Sequence, residues 1–422
     1  MKIKMIPFFS AVFAISLMIN TVVAAQVPIT PFNQLVKIAI NNNSTLKAKQ
    51  LAWKSLIQQY PQATALNDPR LVYSESLRPI ETRLGPQERA LSINQKIPYP
   101  GKLALKGEVV KQRIEIAKLR YDQASRDLIV DLKKSYHELV YLENAIKLSL
   151  RNKKSLEKIT RISTFDYAAN ISSLNDVAKA QSQYAQVAYD VQLLEELRST
   201  ENTRINTLLN RNPEQVFRIN SAVRKPAKLP HSLKSLYQWA ESNDELKIAD
   251  VMIKQGELKK QLSQYASRPD FDFGLRYTQI GSTNIAGLED NSRDGIAVSI
   301  GINIPLNLSK NKAIKEQARL EQLRSIEDKK SLMSTLKNKV KGVYFKLNNS
   351  HRLITLYGNN LIPQANRAMH IAELQYRENK GSIAKYVETQ STWLNFQLAY
   401  HRALADYAKS IAEMEKLTGR KL

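Results

Sequence analysis

The chain repeats itself once, in order, along nearly its whole length. Leu35, Ala39 and Leu46-Lys47 are echoed by Leu236, Ala240 and Leu246-Lys247. Pro69, which opens an extended run, is echoed by Pro269, and Ser92 and Ile97-Pro98 return as Ser299 and Ile304-Pro305. Tyr167-x-x-Asn170-x-x-Ser173 returns as Tyr376-x-x-Asn379-x-x-Ser382, and Gln181-Ser182 as Gln390-Ser391. The offset stays between 200 and 209 throughout, an order that chance matches would not keep. The chain is therefore two structural units of one plan. Residues 26–211 form the first and 233–422 the second. The linker, 212–232, holds Pro213, Pro226 and Pro230, which block a continuous helix.

Each unit reads helix, strand, loop, strand, very long helix, tight turn, long helix. The strands show period-two patterning. Phe271, Phe273, Leu275 and Tyr277 alternate with Asp272, Gly274, Arg276 and Thr278. Ile296, Val298, Ile300, Ile302 and Ile304 alternate with Ala297, Ser299, Gly301 and Asn303. In the first unit Leu91, Ile93, Gln95 and Ile97 alternate with Ser92, Asn94 and Lys96, while Arg70 to Leu77 alternates poorly. Gly85-Pro86 and Gly281 to Asn284 read as loop tips between strands.

The helices carry heptads. Val110, Ile114, Ala117, Tyr121, Ala124 and Leu128 step by four and three, as do Val177, Ala180, Tyr184, Val187, Val191 and Leu194. Trp393, Phe396, Tyr400, Ala403 and Tyr407 continue the same seam. Such spacing packs helices along their length. From Lys102 to about Ile162 there is no Pro, and Gly only at Gly107. Roughly 60 residues of helix would reach about 90 Å, far beyond a compact domain. The helices must project.

Residues 1–25 read as a secretory signal: Lys2 and Lys4 precede an apolar run from Met5 to Ile19, and Val23-Ala24-Ala25 offers a cleavage site before Gln26. No later segment has eighteen consecutive apolar residues, so no transmembrane helix is expected in the mature chain. The absence of cysteine excludes disulfides, Cys metal sites, a Cys nucleophile and N-terminal lipidation. The net charge is +24; Lys2 and Lys4 account for two of these charges, leaving +22 after export. The basic residues are spread along helices rather than clustered, so they read as solvated faces and no nucleic-acid partner is expected.

Four strands with an apolar face pose a packing problem. The opposite face is too small and polar for a sandwich core, and four strands cannot close a barrel. A barrel in lipid needs at least about eight strands, so that no edge is left unpaired. Several copies must share the closure, with small and polar residues facing a wet lumen. Two copies would give eight strands and three would give twelve. The expected fold class is mainly α with β: a transmembrane β-barrel with four strands per chain, trimeric and 12-stranded if three copies close it, continued by a long periplasmic α-helical barrel. The competing architecture is a soluble coiled-coil protein with a small β-domain.

On this evidence the chain resembles the TolC-type outer-membrane efflux proteins, whose members are built from two such repeats and assemble as trimers. The family often has Tyr-x-x-Gly between its paired long helices, followed by Ser and an acidic residue. Here Asn170 and Asn379 stand in the glycine positions, and Asn is the next best residue for a left-handed backbone. The acid is present as Asp176, but Lys385 holds the matching place in the second unit. The segment Gln95-Lys96-Ile97-Pro98-Tyr99-Pro100-Gly101-Lys102 is similar to one in outer-membrane partners of heavy-metal efflux pumps. There Pro98 and Pro100 would end the sheet ladder, Gly101 would permit the bend, and Lys102 would open the long helix.

No catalytic constellation or phosphate loop is present, so neither an enzyme nor a cofactor is expected. The five histidines, His137, His231, His351, His370 and His401, are far apart in sequence, and no metal site is expected. Function is expected at the helical turns, a periplasmic mouth where a partner docks. Its candidates are Asp166, Asn170, Ser173 and Asp176 with Asn379, Gly381 and Ser382. Acidic side chains there would favour cations, although Asp176 also fits a helix N-terminal charge. The resemblance implies a homotrimer in the outer membrane that extends into the periplasm, with a periplasmic adaptor and an inner-membrane RND-type pump as partners. It implies an exit duct for efflux, with metal cations as one cargo. Type I protein secretion by the same duct, and a soluble periplasmic adaptor or structural protein, are the alternatives.

Overall fold

Apolar residues at steps of three and four decide which helices lie side by side, and alternating residues decide the sheet. A computed structural model describes residues 29–287, 289–378 and 380–422. The expected signal segment 1–25 and Asn379 lie outside the described residues.

Three short helices open the chain: α1 (Phe32–Asn42), α2 (Ser44–Ile57) and α3 (Gln59–Thr64). Strands β1 (Arg70–Thr82) and β2 (Gly85–Ile97) lead into the long α4 (Lys102–Ala168), which turns into α5 (Leu174–Leu208). After the linker come α6 (Leu233–Ala240) and α7 (Asp244–Ser263), then β3 (Phe271–Ile280) and β4 (Gly295–Ile302). The last helices are α8 (Leu308–Thr355), α9 (Ile362–Arg377) and α10 (Ile383–Thr418). At 67 residues α4 is about 100 Å long. Between α8 and α9 one π-helical turn spans Leu356–Leu361. Pro363 follows it; a proline cannot donate to the ladder and crowds the preceding turn, so the extra residue per turn absorbs the fault. Among the described residues no helix is long and apolar enough to cross a membrane.

The four strands form one antiparallel sheet in the order β1-β2-β3-β4. Its register sorts the side chains by face. Leu71, Ile93, Leu275 and Val298 lie in one row, and Tyr73, Leu91, Tyr277 and Ile296 in the next. Ile97, Phe271 and Ile302 end the same face. The opposite face holds Ser92 beside Arg276 and Ala297, and Asn94 beside Gly274 and Ser299. Among the described residues most of the apolar face is uncovered: Ile296, Val298 and Ile300 are 75%, 75% and 71% exposed. From Ile97 to Leu91 this apolar band runs about 20 Å along the strand.

The first hairpin is longer than its poor alternation suggested. β1 reaches Thr82 and the register slips between Glu75 and Ile80, where Pro79 sits. An edge strand tolerates proline and a bulge, because one side of its ladder is unpaired. Gly85-Pro86, expected as a loop tip, instead begins β2, and only Arg83-Leu84 form the turn. Gly85 has φ +128°, and a Cβ there would fall 1.8 Å from the Gly281 carbonyl oxygen, so the two loops can approach only with glycine.

Three cores hold the helices. Leu35, Leu132, Leu139 and Ile205 pack in the first unit, and Leu236, Leu336, Leu347 and Met414 in the second. Near the tips Leu156, Ala180 and Val187 of the first unit pack with Ile383, Val387 and Leu394 of the second. Helix α4 lies between α5 and α10, and α10 in turn packs on α8 and α9. Ion pairs bind α4 to α10 along their length: Lys133 to Glu415, Lys134 to Glu413, and Asp127 to Lys416 at 3.0 Å. Glu138 accepts from Arg402 at 2.8 and 2.9 Å and from Lys409 at 2.6 Å. Burial works to raise its carboxyl, but these hydrogen bonds outweigh burial and hold it below the usual carboxylate range.

Candidate functional site

The two helical hairpins end side by side. The first turn closes on Asn170, whose φ of +57° is left-handed. The backbone N–H groups of Ile171 and Ser172 return to the Asp166 carbonyl oxygen at 2.7 and 3.3 Å, satisfying the end of α4. Asparagine thus does here what glycine does elsewhere. In the second turn Gly381 lies against Gln375, where a Cβ would come within 3.1 Å of the Gln375 Cβ.

Ser173 caps α5. Its hydroxyl accepts from the Asp176 N–H at 3.2 Å and its backbone N–H donates to the Asp176 carboxylate at 3.4 Å, completing a capping box; the hydroxyl also donates to that carboxylate at 2.8 Å. Ser382 caps α10 by accepting from the Lys385 N–H at 3.2 Å. With lysine at that third position, the first turn of α10 has no acid of its own. Asp176 supplies it: its other carboxylate oxygen accepts from the Ala384 N–H at 3.1 Å. One carboxylate, 8% exposed, therefore sits at the positive ends of two helices from different units. It faces the helix starts, which accounts for its burial. Asp176→Ala would remove the carboxylate's bonds to both helix starts while leaving the two serine caps, and is expected to cost about 2 kcal/mol of local stability. Hydrogen exchange at the amides of residues 174–178 and 383–386 would measure it, and unchanged protection would reject the shared cap.

A second bond crosses the units. Tyr376 donates its phenol hydroxyl to the Asp166 carboxylate at 2.6 Å. Burial, then the Asp166 carboxylate, push this phenol well above its ordinary range, so it stays a donor. Tyr167, its counterpart by the repeat, is 45% exposed. Sequence reasoning placed Asp166 at the mouth but treated Tyr376 only as a turn marker; the repeat-related pair of tyrosines was the available signal. The remaining acids of the second turn are neutralised locally, Glu378 by Lys380 at 2.8 Å and Glu388 by Lys385 at 3.2 Å.

At the strand-to-helix junction Gly101 has φ +85° and begins α4, and a Cβ there would meet the Tyr265 hydroxyl at 2.8 Å. Lys102 donates to both oxygens of Asp270 at 2.8 and 3.0 Å, and the Tyr99 N–H donates to the same carboxylate at 3.1 Å. Pro98 and Pro100 flank Tyr99, and the sheet ladder stops at Ile97. The motif ties the first long helix to the start of β3. The histidines are not all dispersed in space: His137 and His401 line one cavity of about 270 Å³ between α4, α10 and the linker. Among the described residues no group of three or more His, Asp or Glu side chains could hold a metal ion.

A four-stranded sheet with one exposed apolar face, continued by two helical hairpins that meet at their tips, is also the arrangement of several solved proteins. Residues 235–420 match the family described as "Outer membrane efflux protein". The structure of the Campylobacter jejuni CmeC outer membrane channel superposes with a TM-score of 0.74 at 15% identity, covering 92% of this chain and 85% of that one. The Vibrio cholerae outer membrane protein VceC gives 0.74 at 15% identity, covering 92% and 96%. The open state of the Neisseria gonorrhoeae MtrE outer membrane channel gives 0.74 at 17%, covering 93% and 89%. No curated protein sequence matches this chain. The resemblance read from the repeats thus holds in sequence for the second half and in fold for the described chain. Among the described residues no catalytic constellation is found at the tip or the junction.

Proposed function

We propose that three copies of this chain form a passive exit duct in the outer membrane. Their sheets would close a 12-stranded barrel, and α4, α5, α8, α9 and α10 would line a tunnel into the periplasm. The register carries this reading: a largely apolar and exposed face, interrupted at Gln95, opposes a small and polar one, with β1 and β4 left as free edges. A free edge in lipid costs several kcal/mol per unsatisfied group, so closure by further copies is required. The two-repeat plan, with units 26–211 and 233–422, puts six similar hairpins around one axis. An inner-membrane RND-type pump would supply the energy, and a periplasmic adaptor would dock at the tips. The Asp166–Tyr376 bond and the shared Asp176 cap would hold the mouth shut until then.

Membrane-extracted protein in detergent tests the assembly. Light scattering should give a trimer, and reconstituted protein should conduct ions across a planar bilayer. A monomer that passes no current would reject the duct. The likeness of the segment Gln95 to Lys102 to one in outer-membrane partners of heavy-metal pumps supports metal cations as cargo, although its own contacts here are structural. A deletion strain that loses tolerance to metals but not to dyes or antibiotics would support that cargo, and broad drug sensitivity would reject it.

A further inference from the structure

The apolar face of the sheet ends on a cation that lacks a carboxylate. Phe271 closes that face at the helical end of β3, and the Tyr99 ring stacks on it with centroids 6.5 Å apart and planes 24° apart. The Arg268 guanidinium lies 4.8 Å from the Tyr99 ring centre and 5.7 Å from that of Tyr265. One of its N–H groups donates to the Tyr99 hydroxyl at 2.9 Å. No carboxylate lies within salt-bridge distance among the described residues, and the side chain is exposed. Its neighbour Asp270 is occupied by Lys102 and Lys96.

An exposed guanidinium with no counterion among the described residues, set beside two tyrosine rings, is an unfinished site. Five N–H donors in a fixed fork match the paired oxygens of a phosphate, and only one is used here. Its position names the source of that phosphate. An aromatic girdle with a cation at the foot of an apolar band stands where hydrocarbon gives way to headgroups. We infer that Arg268, steadied by Tyr99 and Tyr265, binds the phosphate of an anionic phospholipid in the periplasmic leaflet of the outer membrane. The inference rests on the sheet lying in that membrane. The phosphate accepts the free N–H groups of the fork, the tyrosine rings cover the stem, and the acyl chains run along Phe271, Ile302 and the rows above. Each copy would thus carry one anionic lipid as a collar at the base of the barrel.

The full chain, reconstituted in phosphatidylcholine vesicles with spin-labelled phosphatidylglycerol or spin-labelled phosphatidylcholine, tests this by electron spin resonance. The native protein should prefer phosphatidylglycerol, and Arg268→Gln should lower the preference about fivefold at that site. Arg268→Lys, which keeps the charge but loses the fork, should recover it in part. Arg324→Gln, an equal loss of charge on an exposed stretch of α8, should leave it unchanged. Equal losses from Arg268→Gln and Arg324→Gln, or none from either, would overturn the site and show diffuse charge only. Conductance of the same vesicle preparation separates the two readings. A conducting protein without the Arg268 effect loses the lipid site and keeps the duct, whereas protein that neither inserts nor conducts sinks both.

Discussion

Tyr376→Phe is expected to raise the conductance of the reconstituted protein about tenfold or more. The substitution removes one hydroxyl and keeps the ring that packs beside the tip core. What is lost is a hydrogen bond to an ionised carboxylate, 2.6 Å long and partly buried, between the two repeats. Bonds to charged groups contribute about 1.5–3 kcal/mol, and about 1.4 kcal/mol shifts an equilibrium tenfold. If three copies meet at the mouth, the losses act on one gate and reinforce each other. Asp166→Asn keeps a carbonyl acceptor for the phenol and should give a smaller rise. Single-channel recording at neutral pH measures both. Conductance of Tyr376→Phe equal to that of the native protein, with melting temperature also unchanged, would show that this bond does not hold the mouth shut.

The largest pH effect is expected from the cavity between α4, α10 and the linker. His137 titrates at about 4 instead of 6.5, because burial, then the nearby Lys133 and Lys409, disfavour its charged form. His401, on the same cavity, is lowered by burial. The charges packed around them on α4 and α10 are the Glu138, Arg402 and Lys409 cluster and Lys133. The folded chain therefore keeps neutral imidazole where the unfolded chain binds a proton. Stability from His137 is complete above about pH 6.5 and is lost as pH falls through 4. The loss approaches about 3 kcal/mol per copy. His137→Gln, which cannot take up a proton, should show a visibly smaller fall in melting temperature between pH 7 and pH 4.5. An equal fall in the variant and the native protein would assign the acid sensitivity to other groups.

Much of the architecture was legible in residues alone, because it rests on periods that need no partner to be read. Alternation from Phe271 to Tyr277 and from Ile296 to Ile302 marked two strands with one apolar face, and the register confirmed that these residues share it. The unbroken stretch after Lys102 marked a helix too long for a compact domain. The first hairpin was harder to read, since its bulge at Pro79 breaks the alternation and Gly85-Pro86 has the composition of a turn. Its true boundary follows from the close approach of Gly281, a contact about two hundred residues away in sequence.

The chain by itself determined its repeat, its strand faces, its helix lengths and the serine and asparagine chemistry of its turns, all set by local backbone preference and side-chain period. The tertiary structure decided which turn residues act together. Only the packing of one hairpin against the other makes Asp176 the cap of two helices, or sets Tyr376 rather than Tyr167 against Asp166. It likewise brings His137 and His401 to one cavity and sets Arg268 against Tyr99 and Tyr265 with no carboxylate partner among the described residues. Each of these depends on where side chains distant in sequence meet, and on what water and charge remain around them once they do.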